Sequence, residues 1–141
     1  MMAIQTNDLC DLLDGAGVRY VIEVPGGRVR VPLPSQVLHL WLEDEGRVLC
    51  ARVPQAASLA GVEDRAACLR HISALNGRLR FGRVGWHEHD DEVVVEHCVW
   101  LGETAPTIDQ IRQLVTTTRV LAQRGLRELR QMVGQPDVRV A

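Results

Sequence analysis

Apolar residues first recur at helical spacing at Leu9, Leu12, Leu13 and Ala16, behind the polar Thr6-Asn7-Asp8 and among Gly15 and Gly17. A capping residue followed by an apolar stripe predicts a short amphipathic helix that the glycines stop. Period-two patterning then takes over. Residues 20–24 and 28–31 flank Pro25-Gly26-Gly27 and read as strand, turn, strand, closed by Pro32 and Pro34. Residues 36–43 and 47–53, rich in Val, Leu and Trp around Asp44-Glu45-Gly46, predict a hairpin. Residues 54–61 read as a connector.

Helical periodicity returns with Ala66, Cys68, Leu69, Ile72 and Leu75, and Asn76-Gly77 predicts a left-handed ending. Residues 79–87 and 93–101 form a second predicted hairpin around the His89-Asp90-Asp91-Glu92 tip. Thr107-Ile108-Asp109-Gln110 is a capping box that opens a long helix. Its apolar face runs Ile111, Leu114, Val115, Leu121, Ala122, Leu129 and Met132, and Gly134 and Pro136 end it. The expected fold is α+β, a mostly antiparallel sheet with three helices in the order α-β-β-β-α-β-β-α. With no internal repeat and no linker long enough to divide the chain, residues 6–134 read as one domain, with loose termini at 1–5 and 135–141.

The strands do not alternate as a half-solvated sheet should. Leu38, Leu40 and Leu42 are opposed by Val37 and Trp41; Val93, Val95 and Val99 are opposed by Val94, Cys98 and Trp100. Both faces therefore call for cover, either from the three helices together or from a second protomer or client on one face. Val37, Trp41, Trp86, Trp100 and Gly125 are the candidate protein-interface residues. Gly125 costs a helix interior about 1 kcal/mol relative to alanine, so close packing against another element would explain it.

Composition narrows the classes. The 141 residues are 46% hydrophobic and 24% charged, with a net charge of −2, which is ordinary globular usage. That balance gives no electrostatic reason to expect nucleic acid or an anionic membrane as partner. All 16 basic residues are arginine, scattered along the chain, which codon bias explains more simply than anion recognition. Neither a basic segment leading into an apolar run nor a long apolar stretch is present, so a cytoplasmic protein without a membrane span is expected. Cys10, Cys50, Cys68 and Cys98 form no CxxC pair and fall in apolar patterns, which reads as buried, inert thiols.

The segment LNGRLRFGRVGWHEHDDEVVVEHCVWLGETAPTIDQIRQLV, residues 75–115, resembles the YbjN-like family, whose fold is similar to that of type III secretion chaperones. Asn76 at the end of the second helix, Arg83 in a strand, the acidic turn Asp90-Asp91 and the capping Thr107 match its pattern. Asp91 stands where the family's turn often has glycine. Leu9, Leu12, Leu13, Gly17 and Tyr20 extend the likeness over most of the chain. The resemblance implies a small homodimer that binds a protein client and no inherited catalytic residue or cofactor. It also implies relatives in bacterial stress responses and motility, and a client held on an apolar groove or at a sheet edge.

Three other chemistries are weighed against this. If Asp90-Asp91 is a two-residue turn, His87 and His89 share a strand face with Glu92 and Glu96, a set that suits a metal such as zinc. That makes a metal-binding protein or metal-dependent enzyme the first alternative, against the plainer reading of a solvated acidic tip. The same register sets His97 opposite Val84 on the other face, and Phe81 opposite Trp100. Arg78, Arg80 and Arg83 with Phe81 and Trp86 suggest a nucleic-acid-binding module, although the strand order does not suit one. No GxSxG elbow and no phosphate-cradling strand-to-helix loop supports an enzyme, and arginines 112, 119, 124, 127 and 130 space out as a solvated helix face.

Overall fold

The computed structural model describes residues 4–23 and 27–138, so the turn expected at Pro25-Gly26 lies outside the described residues. Helix α1 (Thr6–Ala16) starts at Thr6, the residue expected to cap it, so the cap falls one residue earlier at Gln5. Thr6 is already helical, and the Asp8 carboxylate accepts the backbone N–H of Gln5 at 2.8 Å. Gly17 stops it in left-handed backbone.

Four strands precede the second helix, one for each of the four predicted segments and one more than the order α-β-β-β-α-β-β-α counts: β1 (Val21–Ile22), β2 (Val29–Leu33), β3 (Gln36–Glu43) and β4 (Val48–Ser58). Two of them run through prolines that the sequence reads as breaks. Pro32 is tolerated in β2 because β1 reaches only as far as Arg30, which leaves the far side of Pro32 without a ladder. Pro54 is tolerated in β4 because it sits in the register shift between Val53 and Ala57, where no partner needs its missing N–H.

Helix α2 (Arg65–Arg78) is capped by the Asp64 carboxylate, which accepts the N–H of Ala67 at 3.0 Å. It runs through Asn76-Gly77 and ends on an extended Leu79, because the Asn76 amide is engaged by the neighbouring strand instead of turning its own backbone. Strands β5 (Arg83–Trp86) and β6 (Glu92–Trp100) form the second hairpin. The His87 N–H donates to the Glu92 carbonyl at 2.9 Å, so residues 88–91 make a four-residue loop. Asp91 takes a φ of 59°, the left-handed geometry that glycine adopts most easily. The longer loop moves the register by two residues: Arg83 opposes Glu96 and Val84 opposes Val95. A two-residue shift leaves the paired side chains of Arg83 to Trp86 on their expected faces.

The capping box forms as expected, with Thr107 Oγ1 accepting the Gln110 N–H at 3.1 Å and Gln110 Oε1 accepting the Thr107 N–H at 2.8 Å. Helix α3 (Ile108–Val120) then widens into a π-helical turn over Leu121–Gly125 before α4 (Arg127–Met132). A π turn displaces carbonyls from their usual partners. Arg130, 2% exposed and not on a solvated face, supplies the donors: its guanidinium bonds the carbonyls of Ala122 and Gln123 and pairs with Asp137 at 3.1 Å. Gly125 lies in the same turn, where a Cβ would come 2.7 Å from Leu121 Cδ1 and ask that side chain to shift.

All six strands join one antiparallel sheet in the order β1-β2-β3-β4-β6-β5. Its inward residues, among them Val29, Leu38, Leu40, Leu49, Val53, Val93 and Val95, form one core with Leu9, Leu13, Ile72, Ile111, Leu114, Leu126 and Leu129 of the helices. The chain ends are partly tied to this body, and not loose throughout. Ile4 is 8% exposed, the Gln135 side chain accepts the Ser58 N–H at 3.3 Å, and Asp137 holds Arg130.

Candidate functional site

Because the helices gather on one side, the other side of the sheet carries its own side chains without a helix over them. Directly opposed residues on adjacent antiparallel strands share a face. Trp41, Cys50 and Cys98 therefore form one row across β3, β4 and β6, with Glu43, Val48 and Trp100 beside it and His39, Arg52 and Glu96 on the other flank. Val37 lies on the same face by alternation along β3. Trp100 is 67% exposed.

Several polar groups here are paired with one another, while His39 Nδ1 and Arg52 Nε are buried without a partner among the described residues. The Arg28 guanidinium lies 4.6 Å from the centre of the Trp41 ring, and Trp41 Nε1 donates to Glu43 Oε1 at 2.8 Å. Arg52 donates to Glu96 at 2.9 Å, and Arg83 lies 3.7 Å from the same carboxylate. Burial raises the Glu96 carboxyl, but the hydrogen bond and charge of Arg52, with Arg83, outweigh it and hold the group below the usual range. His39 is pushed down by burial and by Arg28, Arg30 and Arg52, with Glu23 opposing. The face is thus apolar in its tryptophans and close to neutral in its charges.

Of the five candidate interface residues, Val37, Trp41 and Trp100 meet on this face. Trp86 does not: it opposes the buried Val93 on the helix side, donates Nε1 to Asp91 at 3.2 Å and lies under Arg65. Gly125 sits in the π turn against Leu121. The expected Phe81 and Trp100 pair does not form either. Trp100 opposes Val48, whereas the Phe81 ring tilts toward His97 with centroids 6.1 Å apart.

On the helix side, Phe81, Leu49, His97, Val99, Leu114 and Thr117 line a cavity of about 440 Å³ between the sheet and α3. The Thr117 hydroxyl donates to the Gln113 carbonyl at 2.7 Å, so its contact with His97 Nδ1 at 3.3 Å requires the imidazole to be the donor. Burial pushes His97 below its ordinary value, which keeps the ring neutral in this apolar setting.

At the hairpin tip, His87, His89 and Asp90 bring three ligand atoms within 4.8 Å of one another. The expected carboxylates are drawn elsewhere: Glu92 accepts from Gln55 at 3.0 Å and Glu96 belongs to Arg52. The basic and aromatic set around Arg83 is dispersed in the same way, with Arg83 turned to Glu96 and Trp86 engaged at Asp91.

Sequence reasoning missed the cysteines of this face. Cys98 is exposed, not buried, and its thiol lies 3.0 Å from that of Cys50. Parity along β6 already set Cys98 beside Trp100; pairing it with Cys50 required knowing that β4 lies next to β6.

A family model described as "Putative bacterial sensory transduction regulator", the YbjN model, matches residues 7–131. No curated protein sequence matches the chain. Among solved structures, YbjN from E. coli is similar at a TM-score of 0.69 and 14% identity, over 89% of this chain and 94% of that one. The HopA1-SchA chaperone-effector complex is similar at 0.59 and 10% identity, over 89% of this chain and 98% of that one. The Yersinia pestis type III secretion chaperone SycH, in complex with a stable fragment of YscM2, is similar at 0.57 and 19% identity, over 83% of this chain and 95% of that one. Such likenesses show a shared fold.

Proposed function

The chain belongs to the YbjN family, and from that premise we propose that it is a non-enzymatic, chaperone-like adaptor that binds a protein client as a homodimer in the cytoplasm. The observation that carries this reading is the uncovered sheet face, where Trp41, Trp100 and Val37 present apolar area among mutually neutralised charges. Exposed tryptophan beside charges that are largely paired already is a composition suited to a protein-binding centre, because little unpaired charge is buried with it. The chaperone fold shared with SchA and SycH, each solved with a protein partner, supports the same class. Service in a bacterial stress response is part of the proposal.

Light scattering at micromolar concentration, followed by affinity capture from the native cell with mass spectrometry, tests it. A dimer that retains a defined client is the expected result; a strict monomer that co-purifies with nothing ends the reading.

The convergence of His87, His89 and Asp90 favours one second reading, a divalent metal such as zinc at the hairpin tip. Metal analysis after purification without an affinity tag decides it, and the absence of stoichiometric metal removes it.

A further inference from the structure

Cys50 and Cys98 stand 48 residues apart in sequence and directly opposite each other on β4 and β6, with the Cys98 thiol donating to Cys50 Sγ at 3.0 Å. Antiparallel partners hold their Cα atoms about 4.5 or about 5.5 Å apart, depending on their place in the ladder. A disulfide accepts Cα separations of roughly 4.4 to 6.8 Å and an S–S bond near 2.05 Å. Both ladder positions fall inside that window, so closing the bond asks for about 1 Å of sulfur movement and no change of register. Cys10 and Cys68 are different: both are buried in helices within the core. Cys98 is exposed on a face without a helix over it, which gives a small oxidant a path to its sulfur.

We infer that Cys50 and Cys98 form a reversible dithiol–disulfide site on the uncovered sheet face, oxidised by a peroxide. Hydrogen peroxide meets Cys98, the accessible sulfur, as thiolate. The sulfur attacks one peroxide oxygen, the O–O bond breaks, and with proton transfer one water leaves and Cys98 becomes a sulfenic acid. The Cys50 sulfur then attacks the Cys98 sulfur, expelling the hydroxyl as a second water with the Cys50 proton. Two electrons pass from the two thiols to the peroxide, and its two oxygens end as two waters. The product ties β4 to β6 between Trp41 and Trp100, at a position exposed enough for a reducing thiol to reopen it.

The site's surroundings set its rate. Burial pushes the Cys98 thiol up, and although Cys50 lowers it, Glu96, with Oε1 3.7 Å from the sulfur, raises it further. Burial and the bond to Cys98 push Cys50 higher still. Little thiolate is present near neutrality, so oxidation quickens as pH rises into the alkaline range.

The experiment treats the full chain with hydrogen peroxide and follows the intact mass, then digests it under non-reducing conditions. The expected result is a monomolecular loss of two hydrogens, one cross-linked peptide pair joining the Cys50 and Cys98 segments, and full reversal by dithiothreitol. The variant carrying Cys10→Ser and Cys68→Ser behaves identically, whereas Cys98→Ser loses the link. Three results each overturn the inference: Cys98 passing to sulfinic acid while Cys50 stays alkylatable, a link that joins two chains, or a link that uses Cys10 or Cys68. Peptide mapping of the unmodified chain decides the matter even if a variant does not fold. No partner is involved, so failure here leaves the protein-binding reading standing.

Discussion

Asn76 grips Val84 with both ends of its side-chain amide, donating Nδ2–H to the Val84 carbonyl and accepting the Val84 N–H on Oδ1, each at 2.8 Å. The pair gives the β5 backbone the partners that a further strand would otherwise supply, and so fastens α2 to the edge of the sheet.

Asn76→Ala removes both bonds and leaves the Val84 N–H and carbonyl without partners. A loss of about 2 kcal/mol in urea unfolding is expected, since each bond is worth around 1 kcal/mol and partly buried orphans add to it. Asn76→Asp keeps the acceptor but sets a carboxylate against the Val84 carbonyl, so it should recover little. An unchanged midpoint in both variants would show that the sheet edge holds without this clasp.

How much of this was legible in the sequence depends on the range of the interactions. The Thr107–Gln110 box is complete within one helical turn and was readable, as were the faces of Trp41 and Trp100, which follow from strand alternation. Pro32 and Pro54 were misread because their tolerance depends on where neighbouring strands stop. The hairpin register was off by two because Asp91 takes a left-handed conformation inside a four-residue loop. Arg130 was the least visible: its charge says surface, and only the carbonyls freed by the π turn make a buried place for it.

Arg130→Met should be costly for that reason. The carbonyls of Ala122 and Gln123 would lose their donor within a buried turn, and Asp137 would lose its partner. A destabilisation of about 2 kcal/mol is expected in chemical denaturation, the size found when buried carbonyls are left without a donor. A loss below about 0.5 kcal/mol, the usual size of a surface change, would mean that the turn finds other donors.

Two histidines give the protein a pH dependence with a defined sign. Burial lowers the folded-state values of His97 and His39 below the ordinary 6.5, so between the folded and unfolded values the unfolded chain binds more protons. Stability from this source is complete above the unfolded value and is lost as pH falls toward the folded values. Urea midpoints measured from about pH 7.5 down to about pH 5 should decline, and His97→Gln should flatten the slope. A midpoint that rises with acidity would contradict neutral, buried rings.

Replacing the tryptophans separates surface from scaffold on the uncovered face. Trp100 is 67% exposed, so Trp100→Ala should leave the unfolding midpoint within about 0.5 kcal/mol of the parent. Trp41 is partly buried beneath Arg28 and bonded to Glu43, so Trp41→Ala should lose measurable stability as well. Both should weaken partner binding, read as dissociation of the dimer in light scattering or loss of the captured client. A central tryptophan in an interface commonly contributes about 2 kcal/mol, roughly a 30-fold change in affinity. The informative variant is Trp100→Ala, because its fold is expected to survive intact. If it keeps both the dimer and the client at full strength, the exposed ring has no partner and the binding surface lies elsewhere.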